Sequence, residues 1–277
     1  MADVHARLIA QGLSDRLGQP FVVENRTGAG GNLATDAVTR AEPDGYTLLL
    51  ITTPNIITPP LPNDFNPAHA LTPVAGIAQV YHILVANPSL PVSNFQEFLS
   101  YAKARPGQIA MASAGIGTGP HLSGELFKTM TGVDLLHVPY RGGGPARIDL
   151  LSGQVQVMFS ALTDLNLIST GKLRALAVTT KSRLKNLPEL PTVAEFVPGY
   201  EAISLVGVCV PNGTPAEIVE RLNTGVNAVL NDPTTQSHIT EMGSSVLRVS
   251  TADFKTLLAQ DTEMWNRVIQ TAGIKPN

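Results

Sequence analysis

The sequence predicts an α/β fold in two lobes, on three observations. Short apolar runs alternate with segments of helical period along nearly the whole chain, as in sheets flanked by helices. Two glycine-rich turns, ASAGIGTGPHLSGE from Ala112 to Glu125 and HVPYRGGGPARIDLL from His137 to Leu151, each lead from an apolar strand into a helix. Two long apolar strands, near residues 79–86 and 203–210, bracket a complete α/β segment. The expected lobes are therefore 1–86 with 209–277, and an inserted 87–208, joined by two crossings that act as a hinge beside a cleft.

The elements follow in order. MADVHARLIAQGLSDRL is an amphipathic helix with Val4, Leu8, Leu13 and Leu17 on or near one face. It opens the sequence with no signal peptide and no preceding strand, so the chain is expected to start one element late for an α/β lobe. PFVVENR reads as a short strand, TGAGG as a turn, and NLATDAVTRA as a helix capped by Asn32. YTLLLIT is apolar enough for burial on both faces, as in a parallel sheet. A proline-rich connector, TPPLPNDFNPAHALTP, has neither helical nor strand period. The strand in AGIAQVYHILVANPSL leads to a helix in which Ser93 and Gln96 stand at capping-box spacing. After the anchoring turn come LLHVPY, RGGG, PARIDLLSG and QVQVMFS, then the strands LRALAVTT and ISLVGVCVP. Thr214, Pro215 and Glu217 begin the next helix in capping-box order. A helix (PTTQSHITEMG), a strand (SVLRVS) and a long helix over residues 251–272 complete the chain.

Composition removes several function classes. A formal charge of -3 with singly scattered lysines and arginines gives no basic field, which excludes nucleic acid and anionic membrane as expected partners. No apolar run reaches the roughly 18–20 residues that span a bilayer. Cys209 is the one cysteine, so no internal disulfide or CxxC metal site forms, and its apolar setting reads as a small buried strand residue.

The two turns carry the chemistry. Gly115, Gly117 and Gly119 permit a tight turn with uncovered N–H groups, and Thr118 and Pro120 are residue types that start helices. A helix start of this kind suits a carboxylate or phosphate, with Ser113 and Thr118 as further hydroxyl donors. One such turn alone is ordinary strand-to-helix geometry; the repetition at Gly142–Gly144 strengthens the binding reading. Thr52, Thr53 and Asn55 stand where α/β sheets place binding loops, and read equally as a loop of local hydrogen bonds. His121, in the first turn of the anchoring helix, is either a site residue or a helix-face histidine donating to a carbonyl. His82 and His137 read as core imidazoles, and His5, His69 and His238 as surface or capping residues. No GxSxG elbow, Cys/His pairing, Walker loop, HExxH or full GxGxxG is present, and no carboxylates fall at ligand spacing. Neither metal nor cofactor is expected, and catalysis is not.

With both turns placed, the sequence resembles the Bug (Bordetella uptake gene) family, the extracytoplasmic solute receptors of tripartite tricarboxylate transporters. The carriers are VVENRTGAGGNLATDAVTRAEPDGYTLLL, VANPSLPVSNFQEFLSYAKARPG, ASAGIGTGPHLSGELFKTMTGVDLLHVPYRGGGPARIDLLSGQVQVMF, GKLRALAVTT, LPTVAEFVPGYEA and PNGTPAEIVERLN. The resemblance implies a periplasmic binding protein type II fold that closes over a small mono- or dicarboxylate without converting it. It implies ligand-facing roles for Thr52, Thr53, Asn55, Ser113, Ala114, Gly115, Gly117, Thr118, His121, Tyr140, Arg141 and Gly142. Family members carry a strand and a proline/glycine loop before the first helix, which supply part of the carboxylate cradle and are missing from this sequence. Ser160 stands where the family often has an aspartate that meets an amino group, which points to an organic or aromatic acid and away from an amino acid. The implied setting is the periplasm, with a monomer serving the membrane components of the transporter. A sensor kinase is the partner in an alternative signalling role, and an enzyme on the same fold would need a paired base and nucleophile.

Overall fold

The computed structural model describes residues 2–26, 31–53, 55, 70–161 and 164–274. In chain order the elements are α1 (Ala2–Leu17), α2 (Asn32–Thr39), β1 (Leu49–Thr52), β2 (Leu71–Ala86), α3 (Phe95–Lys103), β3 (Ala110–Ser113), α4 (Gly119–Thr131), β4 (Leu136–Pro139), α5 (Gly143–Ser152), β5 (Val157–Ala161), α6 (Leu165–Ser169), β6 (Arg174–Val178), a 3-10 turn (Val193–Glu195), β7 (Ile203–Pro211), α7 (Ala216–Leu230), α8 (Pro233–Glu241), β8 (Ser244–Val246) and α9 (Thr251–Ala272). The chain divides into two compact units. One takes Met1–Val80 and Ser204–Met264, the other Tyr81–Ile203 and Trp265–Lys275.

In the first unit β1 runs antiparallel to β7, with Leu49 opposite Cys209 and Thr52 opposite Val206. β7 neighbours β2, whose residues Ala78–Val80 also pair with β8. Alternation along β7 explains why it is apolar throughout: successive side chains point to opposite faces, and both faces are covered. Val206, Val208 and Val210 join Ile9 and Leu13 of α1 and Val226 and Val229 of α7, while Leu205 and Cys209 join Phe254 of α9. Small residues set the close helix contact, since a Cβ on Gly12 would lie 2.6 Å from Val229 and one on Gly225 2.9 Å from Leu13.

In the second unit β3 lies between β4 and β5 and is parallel to both, with Ala112 opposite Val138 and Met158. Residues Ile83–Ala86 of β2 pair antiparallel with both β5 and β6. Ile83, Val85, Ala112 and Met158 pack under Ala146 and Leu150 of α5. Phe159 belongs to an aromatic group with Phe127, Phe95 and Phe98, whose ring centroids lie 6.0–6.1 Å apart. Gly124 sits inside α4 because a side chain there would strike Met111, with its Cβ 2.2 Å from the sulfur.

The α/β class and the long C-terminal helix agree with the sequence. Several details differ. The β1–β7, β2–β5, β2–β6 and β2–β8 pairs are antiparallel, because two-sided burial comes from helices on both faces and does not require parallel strands. PFVVENR is not a strand; Val22 is exposed and the Phe21 N–H is taken by the Ser14 hydroxyl at 2.8 Å. The buried face of α1 is His5, Ile9 and Leu13, whereas Val4 is exposed, so His5 is a core residue. The N-cap of α2 is Gly31 at φ 99, and that of α3 is Asn94, which accepts from the Glu97 N–H while Glu97 accepts from the Ser93 N–H. Pro215 stands at the N-cap of α7, and the Thr214 hydroxyl donates backwards to the Pro211 carbonyl. β2 begins at Leu71, inside the expected connector; residues 58–69 of that connector, His69 among them, with most of the TGAGG turn, lie outside the described residues. The short α6 and the 3-10 turn, closed by a Thr192–Glu195 capping box, had no periodic signal.

At Gly207 an added Cβ would fall 2.1 Å from the Phe254 ring and 2.7 Å from the Ala75 carbonyl oxygen. Gly207→Ala is expected to lower stability by about 1–3 kcal/mol through overpacking. Urea denaturation measures it, and an unchanged midpoint would show that the Phe254 layer yields freely.

Candidate functional site

The first glycine turn is built from its backbone requirements. β3 ends at Ser113, and the chain then passes through Gly115 at φ 129 and Gly117 at φ 77, conformations that L side chains rarely adopt. Thr118 stands at the N-cap of α4, but its hydroxyl donates to the Gly115 carbonyl at 2.6 Å and caps no helix N–H. The Gly117 N–H donates to Nδ1 of His121 at 3.0 Å, so His121 accepts here, and the expected donation to a carbonyl is not what holds this face. The start of α4 therefore keeps its leading N–H groups without a side-chain cap.

The second turn is laced to the first by backbone bonds. The Tyr140 N–H donates to the Ser113 carbonyl and the Gly142 N–H to the Ala114 carbonyl, both at 3.1 Å. Gly142 lies at φ 112 and stands at an N-cap of α5 that likewise has no side-chain bond. Around Gly143 and Gly144 no described residue lies within 4 Å of where a Cβ would be. The Tyr140 hydroxyl donates to Asp149 at 2.7 Å, which raises the phenol to about 12, chiefly through that bond. Arg141 is exposed, with no partner among the described residues.

Behind the turns sits a pair of neutral imidazoles. His121 and His137 stack with centroids 3.9 Å apart, and Ser113 Oγ lies 2.7 Å from His137 Nε2. Burial lowers His121 to about 3, helped by His137 and Lys128, and lowers His137 to about 4, helped by Lys128. Glu125 lies 3.8 Å from His121 Nε2, but its carboxylate is shared with Lys128 at 3.0 Å and so does not hold a proton on the ring. The Gly117 N–H fixes the tautomer, because Nδ1 must carry a lone pair to accept it. Ser113 and His137, 24 residues apart, form the hydroxyl–base pair that no spacing in the sequence revealed. The Ser113 side chain is fully buried and its oxygen also accepts from the Gly115 N–H, so the pair fixes the turn.

Ser160 is the penultimate residue of β5 in the same unit, buried, with its hydroxyl donating to Asp164. Asp164 also accepts from Arg147 at 2.6 Å. The remaining expected positions belong to the first unit. Thr53 is fully buried, accepting from the Leu205 N–H at 3.0 Å and donating to Asp261 at 3.3 Å. Asn55 accepts from the Thr52 N–H and hydroxyl, both at 2.9 Å, and donates to Thr35. Of this group, Thr52 is half-buried. The structure thus gathers Ser113, Ala114, Gly115, Gly117, Thr118, His121, Tyr140, Arg141 and Gly142 in two joined turns, adds Ser160, and gives Thr53 and Asn55 internal partners. His137, Arg147 and Asp164 were missed as a group, since they meet only through tertiary folding.

Comparison with known proteins places this architecture. Residues 5–274 match the family model described as the tripartite tricarboxylate transporter family receptor. BugT of Bordetella pertussis is 34% identical over 99% of this chain and 86% of its own length. A Pseudomonas protein from the tcbD–tcbE intergenic region is 35% identical over 99% of this chain and 83% of its own. Among solved structures, an R. palustris protein with adipate is 40% identical with a TM-score of 0.89, covering 99% of this chain and 94% of that one. MatC from Rhodopseudomonas palustris with bound malate is 31% identical with a TM-score of 0.85, over 97% and 94%.

Both histidines titrate near 6.5 when unfolded and near 3 to 4 when folded, so the unfolded chain binds more protons between those values. Their contribution to stability is therefore fully present above pH 6.5 and is lost as pH drops toward 4, and His82, lowered to about 4 by burial, adds to the same slope. Urea midpoints across that window are expected to decline, and His121→Gln, whose amide oxygen can accept the Gly117 N–H, should flatten the slope. An unchanged slope would locate the acid sensitivity elsewhere.

Proposed function

The chain belongs to the tripartite tricarboxylate transporter receptor family, and from that membership we propose that it is an extracytoplasmic solute receptor for a small organic acid, held by a carboxylate at its two glycine turns. The observation that carries the reading is the pair of adjoining helix starts, α4 and α5, without side-chain caps. Orphan amides at a helix start offer hydrogen bonds and the positive end of a dipole without a basic side chain. Four to six such bonds, each gaining about 1.5–3 kcal/mol before the loss of ligand freedom, leave room for micromolar affinity, about -8 kcal/mol. The relatives with adipate and with malate support an acid as the ligand class.

The lobes of the reading follow the two compact units, and Thr53 and Asn55, whose hydrogen bonds are spent inside the first unit, shape its loop behind Thr52. Ligand favours a closed arrangement, and the transporter's membrane components recognise it in the periplasm. The receptor carries its acid unchanged.

Thermal unfolding against mono-, di- and tricarboxylates, aromatic acids and amino acids tests the class, since a ligand at 100 times its Kd adds about 2.7 kcal/mol. A selective rise with one acid type is expected; no rise with any acid would refute the reading. Gly143→Asp tests the location. The position is uncrowded by described residues and begins α5, where a carboxylate suits the helix dipole, so the fold should be kept or slightly stabilised while acid binding weakens at least ~10-fold. Unchanged affinity in the folded variant would remove α5 from the site.

A further inference from the structure

Resting on the carboxylate-receptor reading, we infer that the peptide between Ile116 and Gly117 has two positions, and that a bound carboxylate turns its N–H outward while His121 takes up a proton. The Thr118 N–H donates to the Gly115 carbonyl at 3.3 Å, which closes a four-residue turn over Gly115–Thr118. Gly117, its third residue, lies at φ 77, as a type II turn requires. Type I differs from type II chiefly by rotation of the central peptide, and its third residue has a negative φ that glycine adopts as readily. No described residue lies within 4 Å of where a Cβ on Gly117 would be, so the rotation meets no side chain there.

In the observed position the central N–H points inward, to Nδ1 of His121, a residue that is 3% exposed. The Ile116 carbonyl is trans to that N–H and points the other way, with no hydrogen bond to any described residue. An outward carbonyl repels a carboxylate arriving at the start of α4. Turned over, the same peptide offers the ligand the Gly117 N–H and brings the Ile116 carbonyl to His121. Nδ1 then donates to that carbonyl, with a proton drawn from solvent. Each N–H of the imidazolium has an acceptor: Nδ1 the carbonyl, and Nε2 the Glu125 carboxylate 3.8 Å away. Lys128 and the stacked His137 of β4 oppose the added charge, while Glu125 and the ligand favour it. β3 and β5, which also pack against α4, bring no charged residue, and His82 of β2 meets the helix at Ser123. Without ligand the buried ring is neutral and keeps the amide turned in. The Thr118–Gly115 bond belongs to both turn types, so the frame around the moving peptide stays as it is.

Calorimetry on the full chain with adipate, butyrate and benzoate, between pH 7.5 and 5.5, tests the coupling. At least one acid is expected to bind ~10-fold tighter at pH 5.5, the change for a ring that returns to about 6.5 in the complex, and to take up protons, read as a buffer-dependent heat. His121→Gln, whose amide can face either peptide position but takes no proton, should abolish both effects; comparing the two proteins cancels the ligand's own ionisation. Gly117→Ala penalises the positive φ of the observed turn, so at pH 7.5 it should bind as tightly as wild type or tighter. The same pH profile in His121→Gln as in wild type, or weaker binding by folded Gly117→Ala, would overturn the inference and leave the receptor reading intact. Should either variant fail to fold, the wild type decides, since binding without proton uptake would overturn it equally. Binding of no acid would remove both.

Discussion

An amide N–H can serve an anion only if nothing in the protein has already claimed it, and the segment from Ser113 to Gly119 is arranged under that constraint. Thr118, a residue type that caps helices, turns its hydroxyl to the Gly115 carbonyl. His121 takes the Gly117 N–H, which belongs to the turn, and leaves the helix start alone. The left-handed conformations at Gly115, Gly117 and Gly142 keep the backbone in this course, and at Gly115 a side chain would crowd the Tyr140 carbonyl at 3.3 Å. A second helix start then joins the first through two backbone bonds. Positive potential is thereby concentrated in a protein whose net charge is negative.

Such an arrangement needs rigid support, because amides that drift lose their advantage over water. Two neutral rings stacked behind the turn, one holding Ser113 and the other Gly117, supply it. Their neutrality is a matter of burial, and it lets each ring nitrogen keep the role its partner requires. Tyr140 and Asp149 tie the second turn to α5 in the same way.

Much of this was legible in the sequence where the signal is local. Glycine spacing and the order of strand, turn and helix located both turns, and apolar runs located β3, β5, β6, β7 and α9. Signals that depend on tertiary partners were not legible. His5 looked like a surface residue because the helical period was read through Val4, yet α1 turns Val4 outward and His5 inward with Ile9 and Leu13. Ser93 and Gln96 stood at capping-box spacing, but Asn94 is the cap, and Glu97, one residue on from Gln96, reaches back to the Ser93 N–H. Two-sided burial suggested parallel strands at β1, but hydrophobicity reports cover and not direction. The Ser113–His137 and Ser160–Asp164–Arg147 contacts join elements that only the sheet brings together, and no spacing encodes them.

β2 continues from one compact unit into the other, and β7 and α9 do the same. Each unit is consequently assembled from separated stretches of chain. During synthesis the first eighty residues wait for β7, α7 and α9 before their sheet and core are complete, because Ile9 and Leu13 pack against Val226 and Val229. The Tyr81–Ile203 segment, with its own aromatic core and parallel strands, emerges during that wait and lacks only the C-terminal stretch from Trp265 that completes its unit. Contacts of such long separation slow folding and prolong the exposure of apolar α1 and β2. Order of assembly, on this topology, runs from the middle of the chain outward.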